Sequence, residues 1–302
     1  MNIDSLVSCL HSIHQQRCTS YPEEGSIEEQ NKWATETYDY FRHTYEPYIY
    51  NYLTINYGAQ LSKVWETHTF PKTSKKAFVI VERRCHPNWW FLLRNLAWAG
   101  PDFSLYIFCS IENYDYIQSL LGNKKDTVHC RIIFQEPASP EEGKRIYQRI
   151  YKDANIYKSI DADYCITVEL DTYFLKQVPD TLLQGDYYGA SWSWDPSSPG
   201  GGGLSVRNIK TMIEVCEKDA TTIDDSPQDC WMASRIVENQ YKIPPYEFRQ
   251  SVFVENTPSS ETPYSVHQFW TFMNNFQDED YTIFTNRIKK MVTITGLPND
   301  SM

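Results

Sequence analysis

Apolar positions along the chain change period near residue 75. Before it, Ile3, Leu6, Val7 and Leu10 repeat at helical spacing. Ser26 followed by Glu29 has the form of a capping box, which opens a helix through Trp33, Tyr38, Tyr40 and Phe41. Pro47 is expected to end that helix, with Tyr48 to Leu61 forming another. After residue 75 the runs become short and continuous. Ala77 to Val81 is a continuous apolar run that reads as a strand buried on both faces, and Phe103 to Cys109, Cys130 to Phe134 and Tyr164 to Leu170 read as the strands that follow. Between them fall helical stretches: Pro87 to Gly100, Asn113 to Leu121, and one long helix from Pro140 to Ile160. Strand–helix alternation predicts parallel strands with right-handed crossovers, an α/β sandwich. The expected organisation is an N-terminal helical extension over residues 1–74 and an α/β domain over 75–302.

The fourth strand ends in Glu169-Leu170-Asp171-Thr172. Side chains two apart on a strand share a face, so Glu169 and Asp171 are expected to point the same way. They sit at the carboxyl end of a parallel strand, the edge where open α/β sheets bind ligands. Two carboxylates there repel unless a cation lies between them, and oxygen donors suit Mg²⁺ or Mn²⁺. Strand-end solvation, or pairing with Lys or Arg, is the alternative. Arg83 and Arg84, just past the first strand, are placed to meet a nucleotide or diphosphate.

Composition narrows the partners. The chain is 41% hydrophobic and 22% charged, as a globular enzyme is, and its 22 Tyr and 9 Trp suit ligands with one apolar face, such as sugars. A net charge of −11 argues against nucleic acid, whose binding rests on neutralising phosphates. An anionic cofactor would then need a metal or a few placed cations. No apolar run of spanning length is present, and Met1 to Cys18 lacks a basic segment leading into an apolar one, so a soluble cytoplasmic protein is expected. Eight cysteines without a CxxC pair read as reduced, mostly buried thiols.

From about residue 77 to 272 the sequence resembles the DUF5672 family, a glycosyltransferase-like domain of GT-A type. The resemblance is carried in order by Val81-Glu82-Arg83-Arg84, Glu169-Leu170-Asp171-Thr172, Tyr187 to Trp192, Gly201 to Arg207, Gln228-Asp229-Cys230-Trp231 and Val266 to Trp270. Glu169 departs from the Asp of a DxD motif, and Gln228 stands where an acid commonly precedes the Asp. The resemblance implies a GT-A-like, Rossmann-related mixed sheet sandwiched by helices. It implies an inverting, metal-dependent transferase that moves sugar from a UDP- or GDP-sugar to a glycan or other hydroxyl acceptor. Asp171 and Glu169, with His267 as third ligand, would hold the metal, and a histidine in the set favours Mn²⁺ over Mg²⁺. A hydrogen-bonded core residue is the other reading of His267.

Asp229 opens a helix behind Ser226 and Pro227, whose field should keep it ionised, and the resemblance makes it the base for the acceptor hydroxyl. Asp195, Asp224 and Asp225 are substitutes. Glu82, Arg83, Arg84, Glu169, Gly202, Gly203 and Trp192 are the expected nucleotide-sugar contacts. The glycines would permit close backbone approach, and Trp192 and Trp194 would stack on a sugar or pack their own loop. A non-catalytic carbohydrate-binding protein of the same fold is the alternative function. A metal-dependent phosphoesterase or nuclease fits the acids but not the net charge.

Overall fold

The computed structural model describes residues 1–192, 194–256, 259, 261–271 and 280–298. The far ends of the family resemblance (residue 272) and of the α/β domain (residue 302) lie outside the described residues. Helices α1 (Ile3–Cys18) and α2 (Ile27–Thr67) precede β1 (Lys76–Glu82), α3 (Trp89–Ala99), β2 (Ser104–Ser110), α4 (Tyr114–Leu121) and β3 (His129–Phe134). Then come α5 (Pro140–Ile150), α6 (Ala154–Lys158), β4 (Tyr164–Thr167), β5 (Thr172–Phe174), β6 (Tyr187–Gly189) and β7 (Ser205–Asn208). The chain continues with α7 (Ile209–Lys218), α8 (Gln228–Glu238), α9 (Tyr246–Val252), β8 (Phe253–Val254), β9 (Ser265–His267) and α10 (Tyr281–Val292).

Six strands form one mixed sheet in the order β3-β2-β1-β4-β7-β6. β1 to β4 are parallel, as the alternating pattern predicts, and β7 runs antiparallel to both β4 and β6. The chain moves outward from β1 to β3 and then returns to lay β4 on the other side of β1. That reversal is a topological switch point, where two neighbouring strand ends leave a crevice. A smaller sheet, β5-β9-β8, packs beside it. The architecture is a mixed α/β layer structure compatible with a Rossmann-like fold.

Side-chain alternation on β1 builds the two cores. Phe78 and Ile80 join α1, α2, α3, α4 and α10 on one face; Ala77, Val79 and Val81 join α6, α7 and α8 on the other. The N-terminal helices therefore share their core with the sheet: Leu6, Phe41, Tyr45 and Leu53 are buried in the same cluster as β1 and α3. Tyr50 adds a specific tie, donating its hydroxyl to the Leu170 carbonyl at 2.8 Å. No helix among the described residues is long and apolar enough to cross a membrane. All eight cysteines are free thiols, with Cys85 and Cys230 exposed and Cys109, Cys165 and Cys216 buried.

Three local expectations are corrected. α2 runs through Pro47 without ending, because Tyr45, Ile49, Tyr50 and Leu53 anchor both sides of it in the core. Its start is the expected capping box, with Ser26 and Glu29 bonded reciprocally. The long helix over 140–160 is two, since Asp153 caps a new start through Asn155 N–H at 2.9 Å. β4 stops at Thr167 instead of Leu170. The chain there folds into a turn closed by Thr172 N–H to the Glu169 carbonyl at 3.1 Å.

Candidate metal centre and adjoining cleft

Glu169 and Asp171 lie together, but through that turn and not through strand alternation. The turn is held from outside by Tyr50 and by Asn88, whose amide donates to the Leu170 carbonyl at 3.1 Å. It delivers the chain into β5, which pairs with β9 so that Thr172 faces His267. The Gln268 N–H then bonds the Asp171 carbonyl at 3.0 Å. Two strand pairings and one turn thus bring residues nearly a hundred positions apart to one point.

At that point the donor atoms of Glu169, Asp171 and His267 lie within 4.8 Å of one another. His267 Nε2 is 3.3 Å from Glu169 Oε2 and 3.2 Å from Asp171 Oδ1. Its other nitrogen, Nδ1, is 3.3 Å from Glu255 Oε1. A carboxylate on the far nitrogen of a histidine fixes the ring and raises its basicity, the usual support of a metal-binding imidazole. Three carboxylates therefore converge on one buried imidazole. Arg42 offers Asp171 a partial offset from 3.7 Å. Asp171 Oδ1 is buried, and its ion-pair partner is His267 Nε2. One imidazole cannot balance three carboxylates, and a divalent cation would offset the surplus.

The ionisation of the cluster follows the same surplus. Burial raises the Asp171 carboxyl, but His267 and then Arg42 outweigh it and hold the group at about 2. Burial alone would discharge His267, yet Asp171 and Glu255 push it well above the ordinary imidazole range. Without a metal, a proton on His267 takes the place of the cation that the acids require.

Glycines form the opposite wall. A Cβ on Gly203 would meet His267 Cε1 at 2.6 Å and Glu169 Cδ at 2.9 Å, and one on Gly202 would meet Gln228 Nε2 at 2.0 Å. The expected close approach is thus to site side chains themselves. The Gly202 carbonyl is fixed by Arg207, which is fully buried. Arg207 also donates to Gln228 Oε1 at 3.0 Å and to the Tyr157 hydroxyl at 2.6 Å, and lies over the Tyr151 ring. Gln228 begins α8, so this one guanidinium sets the glycine wall and the Asp229 helix relative to each other.

Asp229 is the second residue of α8, with Pro227 and not Ser226 at the cap; Ser226 instead donates to Asp224. Its carboxyl is raised, chiefly by burial and then by Glu255 and Glu169, against the lowering bond from the Cys230 N–H. The expected helix-field effect is therefore overridden. Of the substitutes, Asp224 is tied to Lys152 and Asp225 to Arg149, while Asp195 closes its own turn on Ser197 and Ser198.

A cleft of about 530 Å³ opens beside Glu169 at the switch point, lined by Arg42, Arg83, Arg84, Lys144, Tyr147 and Gln148 among others. Glu82 reaches this wall, but its carboxylate is taken up: Oε1 accepts the N–H groups of Arg83 and Arg84, and both oxygens grip the Arg84 guanidinium. In this arrangement Glu82 lines the cleft and holds Arg84 in place. Arg83 reaches the Ala138 carbonyl at 3.1 Å and lies across Gly143, where a Cβ would collide with its Nε at 2.2 Å. Tyr147, half-buried, donates to Glu169 Oε1. Trp192 stacks on Trp194 with ring centroids 5.7 Å apart; Trp194 is exposed, and the Trp192 Nε1 stands over Gly201.

Glu255, Arg42, Tyr147 and Arg207 were not singled out by the sequence pattern. Glu255 had a signal, since Phe253-Val254-Glu255 repeats the apolar-run-then-acid form of Thr167-Val168-Glu169. Arg42 had none, being one polar position among many on a long helix.

These features define a mixed α/β protein with a candidate metal centre at the switch point of its sheet. Residues 129–267 match the family described as "Protein of unknown function (DUF5672)", just under half of the chain. The match runs from the start of β3 to His267 and supports that family for the stretch holding Glu169, Asp171, the glycines, Asp229, Glu255 and His267. It begins later than the resemblance drawn from about residue 77, leaving out β1 with Arg83 and Arg84 as well as Arg42 on α2. No curated protein matches the chain.

Proposed function

We propose that the protein is a metal-dependent glycosyltransferase of GT-A type that moves sugar from a UDP- or GDP-sugar to a hydroxyl of a glycan or similar acceptor. The observation that carries this reading is the surplus of carboxylate around the buried His267, set at the sheet's switch point beside a cation-lined cleft. Glu169, Asp171 and His267 would hold Mn²⁺ or Mg²⁺, with the imidazole favouring manganese. Such a cation, when bound, offsets the charge that develops on a departing diphosphate.

The chain's own residues supply the rest. Arg83, Arg84 and Lys144 line the cleft with positive charge suited to phosphate oxygens, and Glu82 keeps Arg84 aimed. Asp229, with its carboxyl raised towards neutrality, accepts the proton of the acceptor hydroxyl as the new bond to the sugar forms. Trp192 and Trp194 offer a ring face to a sugar. Attack on the face opposite the leaving diphosphate gives inversion.

The test is slow release of free sugar from UDP- and GDP-sugars with Mn²⁺ and no acceptor. The reading expects release by the wild-type protein with at least one donor, lost in Asp171→Ala. Absence of release, together with nucleotide binding that ignores metal, would overturn it. Glycan binding without any donor turnover would instead identify a non-catalytic carbohydrate-binding protein.

A further inference from the structure

A groove of about 430 Å³ runs between α2 and α3, walled by His43, Glu46, Pro47, Asn51, Trp90 and others. Its volume falls within the roughly 300–1,000 Å³ of small-molecule sites. A smaller cavity of about 250 Å³ shares Arg42, His43, Glu46 and His86 with the groove and is itself lined by Asp171. The groove therefore adjoins, across shared walls, the cavity that reaches the candidate metal centre.

Its lining mixes two chemistries. Pro47, Pro87 and the half-buried Trp90 supply apolar surface. Arg94 stacks on Trp90 at 4.1 Å from the ring centroid, which fixes the indole in place. Arg42, Glu46, Asn51, Thr54 and two imidazoles supply donors and acceptors of mixed sign. The Glu46 carboxylate is held in place by Asn88 Nδ2 at 2.7 Å. Pro47 adds one more acceptor. It has no N–H, so the His43 carbonyl one turn earlier receives no helical bond from it, and both residues line the groove.

We propose that this α2–α3 groove is a saccharide-binding subsite, with one sugar ring lying against Trp90 and its hydroxyls meeting Glu46, Asn51 and the His43 carbonyl. A neutral polyol with one apolar face matches a wall of one indole, two prolines and polar groups of both signs; a strongly charged ligand does not. The groove's role as the acceptor end of the active site rests on the glycosyltransferase reading, whereas its occupancy by a saccharide does not.

The experiment is saturation-transfer NMR on the full chain with methyl α-glucopyranoside, methyl β-galactopyranoside and methyl α-mannopyranoside. Transfer to ring protons of at least one glycoside is expected from the wild-type protein, falling about five-fold in Trp90→Ala. Thr54→Trp, at an exposed position of α2, should block the groove without removing any core contact and abolish the transfer. The Mn²⁺-dependent thermal shift by UDP or GDP is run on the same samples and should be unchanged in both variants. No transfer from any glycoside, or equal transfer from wild type and Thr54→Trp, overturns the subsite. Loss of the nucleotide shift in wild type with glycoside transfer intact would sink the transferase reading and leave the subsite standing.

Discussion

Two buried ionic groups face each other across Gly202 and Gly203. On one side Arg207 carries a full charge with no solvent exposure, and no carboxylate is among its hydrogen-bond partners. Each nitrogen of its guanidinium meets a neutral oxygen, and tyrosine rings lie over it. On the other side three carboxylates crowd a single imidazole, with Asp171 buried beside it. The first group is satisfied within the chain; the second carries more acid than its one imidazole balances. A satisfied buried charge specifies structure, whereas an unsatisfied surplus of one sign points to a ligand.

The comparison breaks most visibly at Asp171. Asp171→Ala should remove measurable Mn²⁺-dependent UDP or GDP stabilisation altogether while leaving a folded protein, since Glu169 and Glu255 still pair with His267; a thermal-shift series with and without metal reads this directly. Arg207→Met is the opposite case. It leaves the Gly202 carbonyl, Gln228 and Tyr157 without their partner, and a loss of about 3–5 kcal/mol is expected in urea unfolding. A loss under about 1 kcal/mol would mean that Arg207 does not organise the wall.

Glu255→Gln sharpens the distinction between the two. It keeps the shape but weakens the support of His267 Nδ1, so Mn²⁺ affinity should fall about 10–100-fold in calorimetry with little change in stability. Gly203→Ala reaches the same point sterically. Its Cβ falls 2.6 Å from His267 Cε1, and the displaced ring should weaken Mn²⁺ binding by about ten-fold at a stability cost of about 1–3 kcal/mol.

The smallest effect lies just outside the cluster, at Glu46. Burial, and after it Asp171, push this carboxyl up to about 7 from 4.5, against the bond from Asn88 and the charges of Arg42 and Arg84. His86 faces it from 3.6 Å, and its own charge is disfavoured first by burial. The fold thus prefers Glu46 protonated, so its contribution is whole below about 4.5 and is lost as pH rises through about 7. Glu46→Gln should be close to wild type in unfolding free energy at pH 5 and exceed it at pH 8, by an amount on the order of 1–2 kcal/mol in urea unfolding. An equal difference at both pH values would contradict the assignment.

Much of this frame was legible in the sequence. Apolar runs located β1 to β4; β1 and β2, inside the sheet, are apolar at nearly every position because both faces are buried, whereas the edge strand β3 buries only Phe134 and carries the exposed Arg131. The acidic pair was visible too, although its proximity arises from a turn closed by Thr172 and held by Tyr50 and Asn88. A strand pattern cannot announce that turn, since its supports lie on α2 and α3. Pro47 misled for the converse reason: local breaking was outweighed by aromatic packing on either side. Glu255 and Arg42 reach the site only through the β8–β9 pairing and the docking of α2, which no local signal encodes.

Titration of the wild-type protein with Mn²⁺, followed by the electron paramagnetic resonance of the free ion, tests the central claim most directly. The account predicts one saturable site per chain that vanishes in Asp171→Ala and persists in Thr54→Trp. Equal uptake of Mn²⁺ by wild type and Asp171→Ala, or none by either, would contradict it.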